Sequence, residues 1–252
     1  MRKIVQFAVT LLVFGVISIF IIRHNNTKKI IDLIVLVPEK PSPLDSLAVD
    51  KRKVTLDDRV LVANFLSAGE NAPALFICTG NGEALYEWLG VQRYLLINGY
   101  SSYVFSYAGF GNSTGKPTEN SLYEDALAYY NDFIEITPSA TKRFALSHSM
   151  GGAPLLGTVN KMQPPPNKLI VHAPFYSIQD LLADIHLTTS YTKWLWPDLF
   201  DNVQYASTIT IPILYVHSKN DQTVPFYHSE VLHDASGENA ELLLLEDYGH
   251  NA

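Results

Sequence analysis

Ser149 lies in the segment SHSMGG, between an apolar stretch that suits a strand and a stretch that suits a helix. Ser147 stands two residues before it and Gly151 two residues after it. A tight strand-to-helix turn requires small flanking residues, because larger side chains would collide across it. The pattern is one conservative step from GxSxG, since a serine replaces the first glycine. On its own this match is weak, but with the strand before it and the helix after it, it predicts a nucleophilic serine.

A serine hydroxyl needs a base to take its proton and a carboxylate to orient that base. At a turn of this kind the expected chain order is serine, acid, histidine. Of the eight histidines, His250 in LLLLEDYGHN has both the right order and a place after the last predicted strand, so it is the predicted base. Asp221, four residues beyond a buried strand, is the predicted acid. Asp247 is the alternative, but it shares one short loop with His250 and has less freedom to face the imidazole.

Acyl transfer also needs donors for the oxyanion, commonly two backbone N–H groups, each contributing roughly 3 kcal/mol. The residue after the nucleophile, Met150, supplies the first predicted donor. The second is expected from CTGNGE, residues 78 to 83, with Asn81 best placed. The alternative for CTGNGE is an ordinary glycine turn.

Short apolar runs alternate with stretches of helical spacing from about residue 30 onward, which is typical of βα units on a largely parallel sheet. Several runs are apolar throughout, as in strands covered on both faces. The stretch SLYEDALAYYNDFIEI predicts a helix capped by Asn120 or Ser121, with Glu124 completing a capping box. The predicted strands are Val60–Leu66, Ala74–Cys78, Ser102–Ser106, Arg143–Ser147, Lys168–His172, Ile213–His217 and Glu241–Leu245.

The N-terminus carries an uncharged apolar run from Ile4 to Ile22, long enough to cross a bilayer as a helix. A cleaved signal peptide is the alternative, but no small-residue cleavage site follows. We therefore predict a membrane anchor and its flank over residues 1–29, a connecting segment over 30–54 and one domain over 55–252. Basic residues flank the run on both sides, so the side of the membrane that holds the domain stays open.

The composition of the chain restricts the partners and metal sites that it can have. The chain has 252 residues and a formal net charge of −7, without a long cluster of Lys or Arg. This argues against a nucleic-acid partner, whose phosphates require concentrated positive charge. The single Cys78 rules out an internal disulfide and a cysteine-based zinc site.

Taken with CTGNGE and SHSMGG, three further motifs carry a resemblance: YAGFGNSTGKP, residues 107 to 117, HSKNDQTVP and YGHN. From about residue 55 to its end, the chain resembles the α/β-hydrolase superfamily, and within it the serine-aminopeptidase-like and membrane-anchored hydrolases. The resemblance implies hydrolysis of an ester, thioester or amide through an acyl-enzyme at Ser149. It also implies that Asp221 orients His250, and that neither a metal nor an organic cofactor takes part.

Three departures from the family pattern stand out. Thr79 and Ala108 replace a histidine and an arginine that many relatives carry. The sequence also stops two residues after His250, where the fold usually adds a final helix that supports the histidine loop. If that helix is missing, His250 is expected to be held less firmly, with lower stability or weaker activity.

Residues 173–208 are expected to form a small cap over the site. Trp194, Trp196 and Phe200 either line an acyl pocket or simply pack a short helix. An anchor beside an apolar cap favours a lipid-like or acylated substrate. The leading prediction is a membrane-anchored serine hydrolase of the esterase, lipase or thioesterase type. The alternatives are a serine peptidase and a noncatalytic membrane-bound interaction protein that retains the fold.

Overall fold

The computed structural model describes residues 17–26 and 49–251. Within these residues, eight strands form one sheet in the order β1-β2-β4-β3-β5-β6-β7-β8. β2 pairs antiparallel with both β1 and β4, and the strands from β3 to β8 pair in parallel. The strands are β1 Asp50–Leu56, β2 Arg59–Leu66, β3 Ala74–Cys78, β4 Ser101–Ser106, β5 Arg143–His148, β6 Lys168–His172, β7 Ile213–Ser218 and β8 Ala240–Leu245.

Helices connect most of the strands and cover the sheet. Residues 17–26 are helical and are called α1. The further α-helices are α2 Leu89–Ile97, α3 Glu119–Ile136, α4 Gly152–Thr158, α5 Ile178–Asp184, α6 Asn202–Thr208 and α7 Tyr227–Ser236. Short 3₁₀ turns occur at Leu85–Trp88, Ser149–Gly151, Val159–Lys161, Lys193–Leu195 and Gly237–Asn239.

The core lies between the sheet and α3, and it is rich in aromatic side chains. β3 and β4 are buried along their whole length, as expected for apolar strands covered on both faces. Ring pairs at centroid separations of 4.4 to 6.0 Å lock α3 onto these strands. The participants are Phe76, Tyr103, Phe105, Tyr129, Tyr130 and Phe133, all fully buried. This packing fixes β3 and β4 in the sheet; β3 leads into the predicted oxyanion loop and pairs with β5, which leads into Ser149.

The seven predicted strands are all present, with ends that agree to within one residue. The structure adds β1, which the sequence analysis did not predict and which spans the predicted boundary at residues 54 and 55. The predicted cap of α3 is wrong. The helix begins at Glu119, and the hydroxyl of Thr118 accepts the N–H of Ser121 while the Ser121 hydroxyl accepts the N–H of Thr118. Two short hydroxyl side chains thus satisfy each other's backbone donors without Glu124.

The predicted membrane anchor falls largely outside the described residues. Residues 4–16 of the predicted span, and residues 30–48 of the connecting segment, are among those not described. In the described part, α1 exposes apolar side chains, including Phe20 at 72%. At its end the side-chain amide of Asn26 donates to the carbonyl of Leu195 at 3.1 Å. No helix within 17–26 or 49–251 has the length and apolar content needed to span a bilayer, so a membrane helix is not shown.

Candidate active site

Ser149 sits at the turn between β5 and α4, as the sequence pattern predicted. Its backbone has φ of 51°, a left-handed conformation that non-glycine residues seldom adopt. Gly151 follows where the turn touches the end of β3. A Cβ at this glycine would lie 2.3 Å from the carbonyl oxygen of Cys78, so no side chain fits. The turn is therefore tight for a steric reason, and it presents the serine at the carboxyl edge of the sheet.

The structure brings Ser149, His250 and Asp221 together from three separate loops. His250 Nε2 is 2.9 Å from Ser149 Oγ. His250 Nδ1 is 2.7 Å from Asp221 Oδ2. One imidazole thus bridges hydroxyl and carboxylate across chain separations of 101 and 29 residues. This is the geometry in which a histidine can take the serine proton while a carboxylate fixes its orientation.

Asp221 is buried, and four donors hold its carboxylate. Oδ1 accepts the backbone N–H groups of Thr223 and Val224, at 2.8 and 2.9 Å. Oδ2 faces His217 Nε2 at 3.2 Å in addition to His250. Burial alone would favour the neutral acid, but the hydrogen bonds from these donors hold the pKa of Asp221 well below its usual range. The carboxylate is therefore ionised at neutral pH and faces the imidazole in a fixed direction.

The alternative acid, Asp247, lies elsewhere. It is exposed, and its carboxylate accepts a hydrogen bond from the side chain of Asn220 at 3.4 Å. The contact with the His250 ring is made by Asp221 instead.

The two expected oxyanion donors stand at equivalent places on neighbouring strands. Cys78 of β3 pairs with Ser147 of β5, and Asn81 and Met150 each follow their paired residue by three positions. Met150 is buried in the first turn after Ser149. Asn81 is exposed in the turn that follows β3. The two loops therefore leave the same edge of the sheet side by side, on the side where Ser149 lies.

Sequence reasoning missed a second carboxylate–imidazole pair beside the nucleophile. Glu83, in the loop after β3, forms a short ion pair with Nδ1 of His148. Its other carboxylate oxygen accepts the N–H of Gly80 at 2.5 Å and the indole N–H of Trp88 at 3.0 Å. His148 Nε2 donates to the backbone carbonyl of His250 at 3.1 Å. The available signal was the position of Glu83 within CTGNGE, but its partner is distant in the sequence.

The histidines at this edge of the sheet differ in their pKa values. Burial disfavours the charged forms of Glu83 and His148, yet their mutual hydrogen bond and charge lower the pKa of Glu83 and raise that of His148. His172 on β6 stacks on His148 with ring centroids 5.0 Å apart. Burial, and the charge on His148, lower the pKa of His172 to about 4. Of these two stacked rings, His148 is thus the one whose cationic form is favoured, and His172 is the one held neutral.

A buried carboxylate on α3 anchors the loop formed by YAGFGNSTGKP, residues 107 to 117. Asp125 accepts the N–H of Ala108 at 2.7 Å with one oxygen and the guanidinium of Arg59 at 3.0 Å with the other. Burial raises the pKa of Asp125 to about 6 in spite of these partners. A Cβ at Gly115, whose φ is 97°, would lie 2.9 Å from the Arg59 side chain. Ala108 stands where many relatives carry an arginine, and its backbone N–H still anchors the loop to Asp125.

Side-chain hydrogen bonds tie the predicted cap, residues 173–208, to α7 and to itself. At the end of α5, Asp184 accepts from the hydroxyl of Tyr227 at 2.6 Å and from His228 Nε2 at 2.9 Å. Lys193 Nζ pairs with Asp180 at 2.5 Å. Large side chains nevertheless stay in solvent, among them Trp194 at 50% exposure, Tyr191 at 88% and Leu187 at 49%. Trp196 packs on the core, so the two tryptophans differ in their surroundings.

A parallel sheet with a serine after β5, an acid after β7 and a histidine after β8 defines an α/β-hydrolase. Residues 69–205, more than half of the chain, match the family described as serine aminopeptidase, S33. The protein belongs to this family of α/β-hydrolases.

Several curated proteins are similar in sequence. An uncharacterized protein of Mycobacterium tuberculosis is 27% identical over 190 residues, covering 73% of this chain and 65% of its own length. The lysophosphatidylserine lipase ABHD12 of Danio rerio is 27% identical over 169 residues, covering 60% of this chain and 44% of its own. The chain thus spans less than two thirds of the length of these curated relatives.

Solved structures share the fold. The Pyrococcus furiosus esterase Pf2001 superposes with a TM-score of 0.69 at 15% identity, over 86% of this chain and 88% of that chain. Est1E from Butyrivibrio proteoclasticus, solved with ferulic acid bound, gives a TM-score of 0.64 at 19% identity, over 79% and 90%. At such low identities these likenesses establish the fold alone.

Proposed function

We propose that the protein is a serine hydrolase that cleaves an ester or thioester through an acyl-enzyme on Ser149. The observation that carries this proposal is the single imidazole of His250, which lies 2.9 Å from the Ser149 hydroxyl and 2.7 Å from the Asp221 carboxylate. A buried carboxylate, an imidazole and a hydroxyl in this sequence of contacts form an activated nucleophile.

In the proposed reaction, Ser149 Oγ attacks the acyl carbon while His250 Nε2 takes its proton. The imidazolium that forms is stabilised by Asp221, and the oxyanion is bound by the N–H groups of Met150 and Asn81. His250 then returns the proton to the leaving alcohol or thiol, which departs and leaves the acyl group on Ser149. Water enters, loses a proton to His250 and releases the acid, and the serine is restored. No metal or organic cofactor is needed for these steps.

An acylated or lipid-like substrate is supported by the cap. Trp194 and its apolar neighbours are exposed, as surfaces that contact apolar ligands often are. The cap cation Lys193 is neutralised by Asp180, so this pair is not available to hold the charged terminus of a peptide. The relatives named lysophosphatidylserine lipase favour the same class. We also propose that the apolar run 4–22 anchors the domain at a membrane, close to such substrates.

The family description favours one competing activity, an aminopeptidase. A single panel separates the two: nitrophenyl esters from acetyl to dodecanoyl, matched acyl thioesters, a lysophospholipid and aminoacyl anilides, each with wild type and Ser149→Ala. We expect turnover of esters or thioesters, dependent on Ser149 and rising with acyl length. Turnover confined to aminoacyl anilides would replace the proposal with a peptidase. A folded protein without turnover in any arm would favour the noncatalytic interaction protein.

A further inference from the structure

The imidazole of His148 has an acceptor at each of its nitrogens. Nδ1 faces the carboxylate of Glu83 in a short ion pair, and Nε2 faces the carbonyl oxygen of His250 at 3.1 Å. A carbonyl oxygen can only accept, and an ionised carboxylate can only accept. A neutral imidazole has one N–H and would leave one of these contacts unmade. The doubly protonated ring is the form that satisfies both.

We propose that Glu83 and a cationic His148 form a positioning pair that ties the oxyanion loop to the loop of the catalytic histidine. This inference rests on the serine hydrolase activity proposed above. Neither side chain touches the reacting atoms in this scheme. Glu83 acts on the backbone next to Asn81, and His148 acts on the backbone of His250.

In the loop after β3, which carries the proposed oxyanion donor Asn81, the Glu83 carboxylate binds the backbone of its own loop. It accepts the N–H of Gly80, the residue immediately before the proposed donor Asn81, and it is itself held by the indole of Trp88. A Cβ at position 80 would lie 2.8 Å from Glu83 Oε1 and 3.1 Å from His148 Nδ1. The glycine is therefore the residue that lets the backbone close onto the pair.

In the loop after β8, the pair contacts the backbone of a segment that is otherwise exposed to solvent. Residues 246–249 are all exposed, whereas the His250 side chain is only 16% exposed. The backbone of this loop is fixed by the Ser218 hydroxyl on the carbonyl of Tyr248 and by His148 on the carbonyl of His250. Since His148 adjoins Ser149 in the chain, this contact sets the position of the base relative to the nucleophile.

The charge state of the pair defines a pH window. The charged groups facing His148 are Glu83, which stabilises its cation, and the more distant Asp221; the His172 ring stacks on His148, and the His250 ring lies tilted against it. Because its pKa is raised, His148 keeps its proton above the ordinary value of 6.5 and loses the contact as the pH rises further. Because the pKa of Glu83 is lowered, the pair breaks on the acid side only below 4.5. The coupling therefore extends above the ordinary histidine pKa on the alkaline side and below the ordinary glutamate pKa on the acid side, and it fails beyond both limits.

The direct test is ¹⁵N NMR of the full chain labelled in histidine, recorded on wild type and on Ser149→Ala, which has no need of turnover. We expect one imidazole to stay doubly protonated at a pH above the ordinary histidine pKa of about 6.5. In Glu83→Gln the same ring becomes neutral. A wild-type spectrum in which every imidazole is neutral at that pH would overturn the proposal, whatever the enzyme hydrolyses.

The kinetic test uses Glu83→Gln with Glu87→Gln as its matched control. Glu87 is an exposed carboxylate four residues along, which accepts the N–H of Ala84. We expect Glu83→Gln to lower kcat roughly 10- to 100-fold through misplacement of the base and the oxyanion donor. The alkaline fall in kcat/KM should move to lower pH, because the ion pair no longer supports the cation. Glu87→Gln should leave both unchanged.

A double variant tests whether the two side chains act as a unit. Glu83→Gln combined with His148→Gln should cost little more than the worse single change. Additive losses, or a pH profile of Glu83→Gln that superimposes on wild type, would contradict the proposed coupling. If wild type cleaves no substrate, the proposed function fails, and the NMR result still decides the state of the pair.

Discussion

The edge of the sheet that carries Ser149, Asp221 and His250 and the predicted cap, residues 173–208, are built in different ways. At the edge, Asp221 receives four donors and shows no exposed side-chain surface, and His250 is held through both ring nitrogens and its carbonyl. In the predicted cap, Trp194 and Tyr191 are half or more exposed, and near them the hydroxyl of Thr192 bonds only to Thr188 and Thr189, three or four residues away. The proposed reacting groups are preorganised, while the surface proposed to meet the substrate is not.

This difference indicates a division of labour. A triad stabilises a transition state only if its groups are placed before the reaction begins. A cap that accepts acyl chains gains from adjustable apolar surface with few directional contacts. Substitutions at the edge should therefore change kcat strongly, and substitutions in the cap should change KM modestly and according to the substrate.

The largest effect is expected at the nucleophile. Ser149→Ala should lower kcat by roughly 10⁴-fold or more, because no other hydroxyl lies against His250 Nε2 in the described residues. Ser147→Ala is the matched control, since its buried hydroxyl has no hydrogen-bond partner in the described residues and alanine keeps the turn small. It should retain wild-type turnover. Equal losses in the two variants, measured with the best ester of the panel, would point to the turn rather than the hydroxyl.

The acid should give the next largest effect. Asp221→Asn keeps an oxygen for the N–H groups of Thr223 and Val224 but turns an amide N–H₂ toward His250 Nδ1, so the imidazole is left in the wrong tautomer. We expect kcat to fall roughly 10³- to 10⁴-fold. Asp247→Asn, the same change on the exposed alternative acid, should stay near wild type. The reverse ranking in steady-state kinetics would exchange their roles.

The free energy of unfolding should depend on pH through His172, at the end of β6. The pKa of His172 is lowered to about 4, so between pH 6.5 and 4 the unfolded chain binds a proton that the folded protein does not. The free energy of unfolding should fall across this interval as the pH decreases, by about 2–3 kcal/mol from this group. Urea titrations at a series of pH values measure it. His172→Gln should flatten the dependence, and an unchanged slope would show that the loss originates elsewhere.

The smallest effect is expected in the cap. Trp194→Ala should raise KM a few-fold for long acyl esters and leave acetyl esters unaffected, since removing one half-exposed apolar side chain costs roughly 1 kcal/mol. Tyr94→Ala, an aromatic with 69% exposure on α2, is the control and should change neither. A uniform loss of kcat across chain lengths would mean that the cap supports the catalytic edge after all.

The sequence predicted the parts of the fold that depend on local pattern. Apolar runs located seven strands, and small residues around Ser149 located its turn. β1 was not predicted because DKRKVTL is a half-exposed edge strand. Its four charged residues obscure the alternation of apolar and polar side chains that indicates a strand. The pairing of Glu83 with His148 escaped because it joins residues 65 positions apart, and no spacing rule connects them. The helix cap was misassigned since Thr118 and Ser121 pair reciprocally, which makes Glu124 unnecessary.

The most direct measurement is the reaction of the purified protein with a fluorophosphonate, followed by mass spectrometry of the labelled peptide. The account predicts a single phosphonylated residue, Ser149, whose labelling slows sharply in Asp221→Asn but not in Asp247→Asn. A folded protein that remains unlabelled, or that carries the phosphonate on another residue, would contradict it.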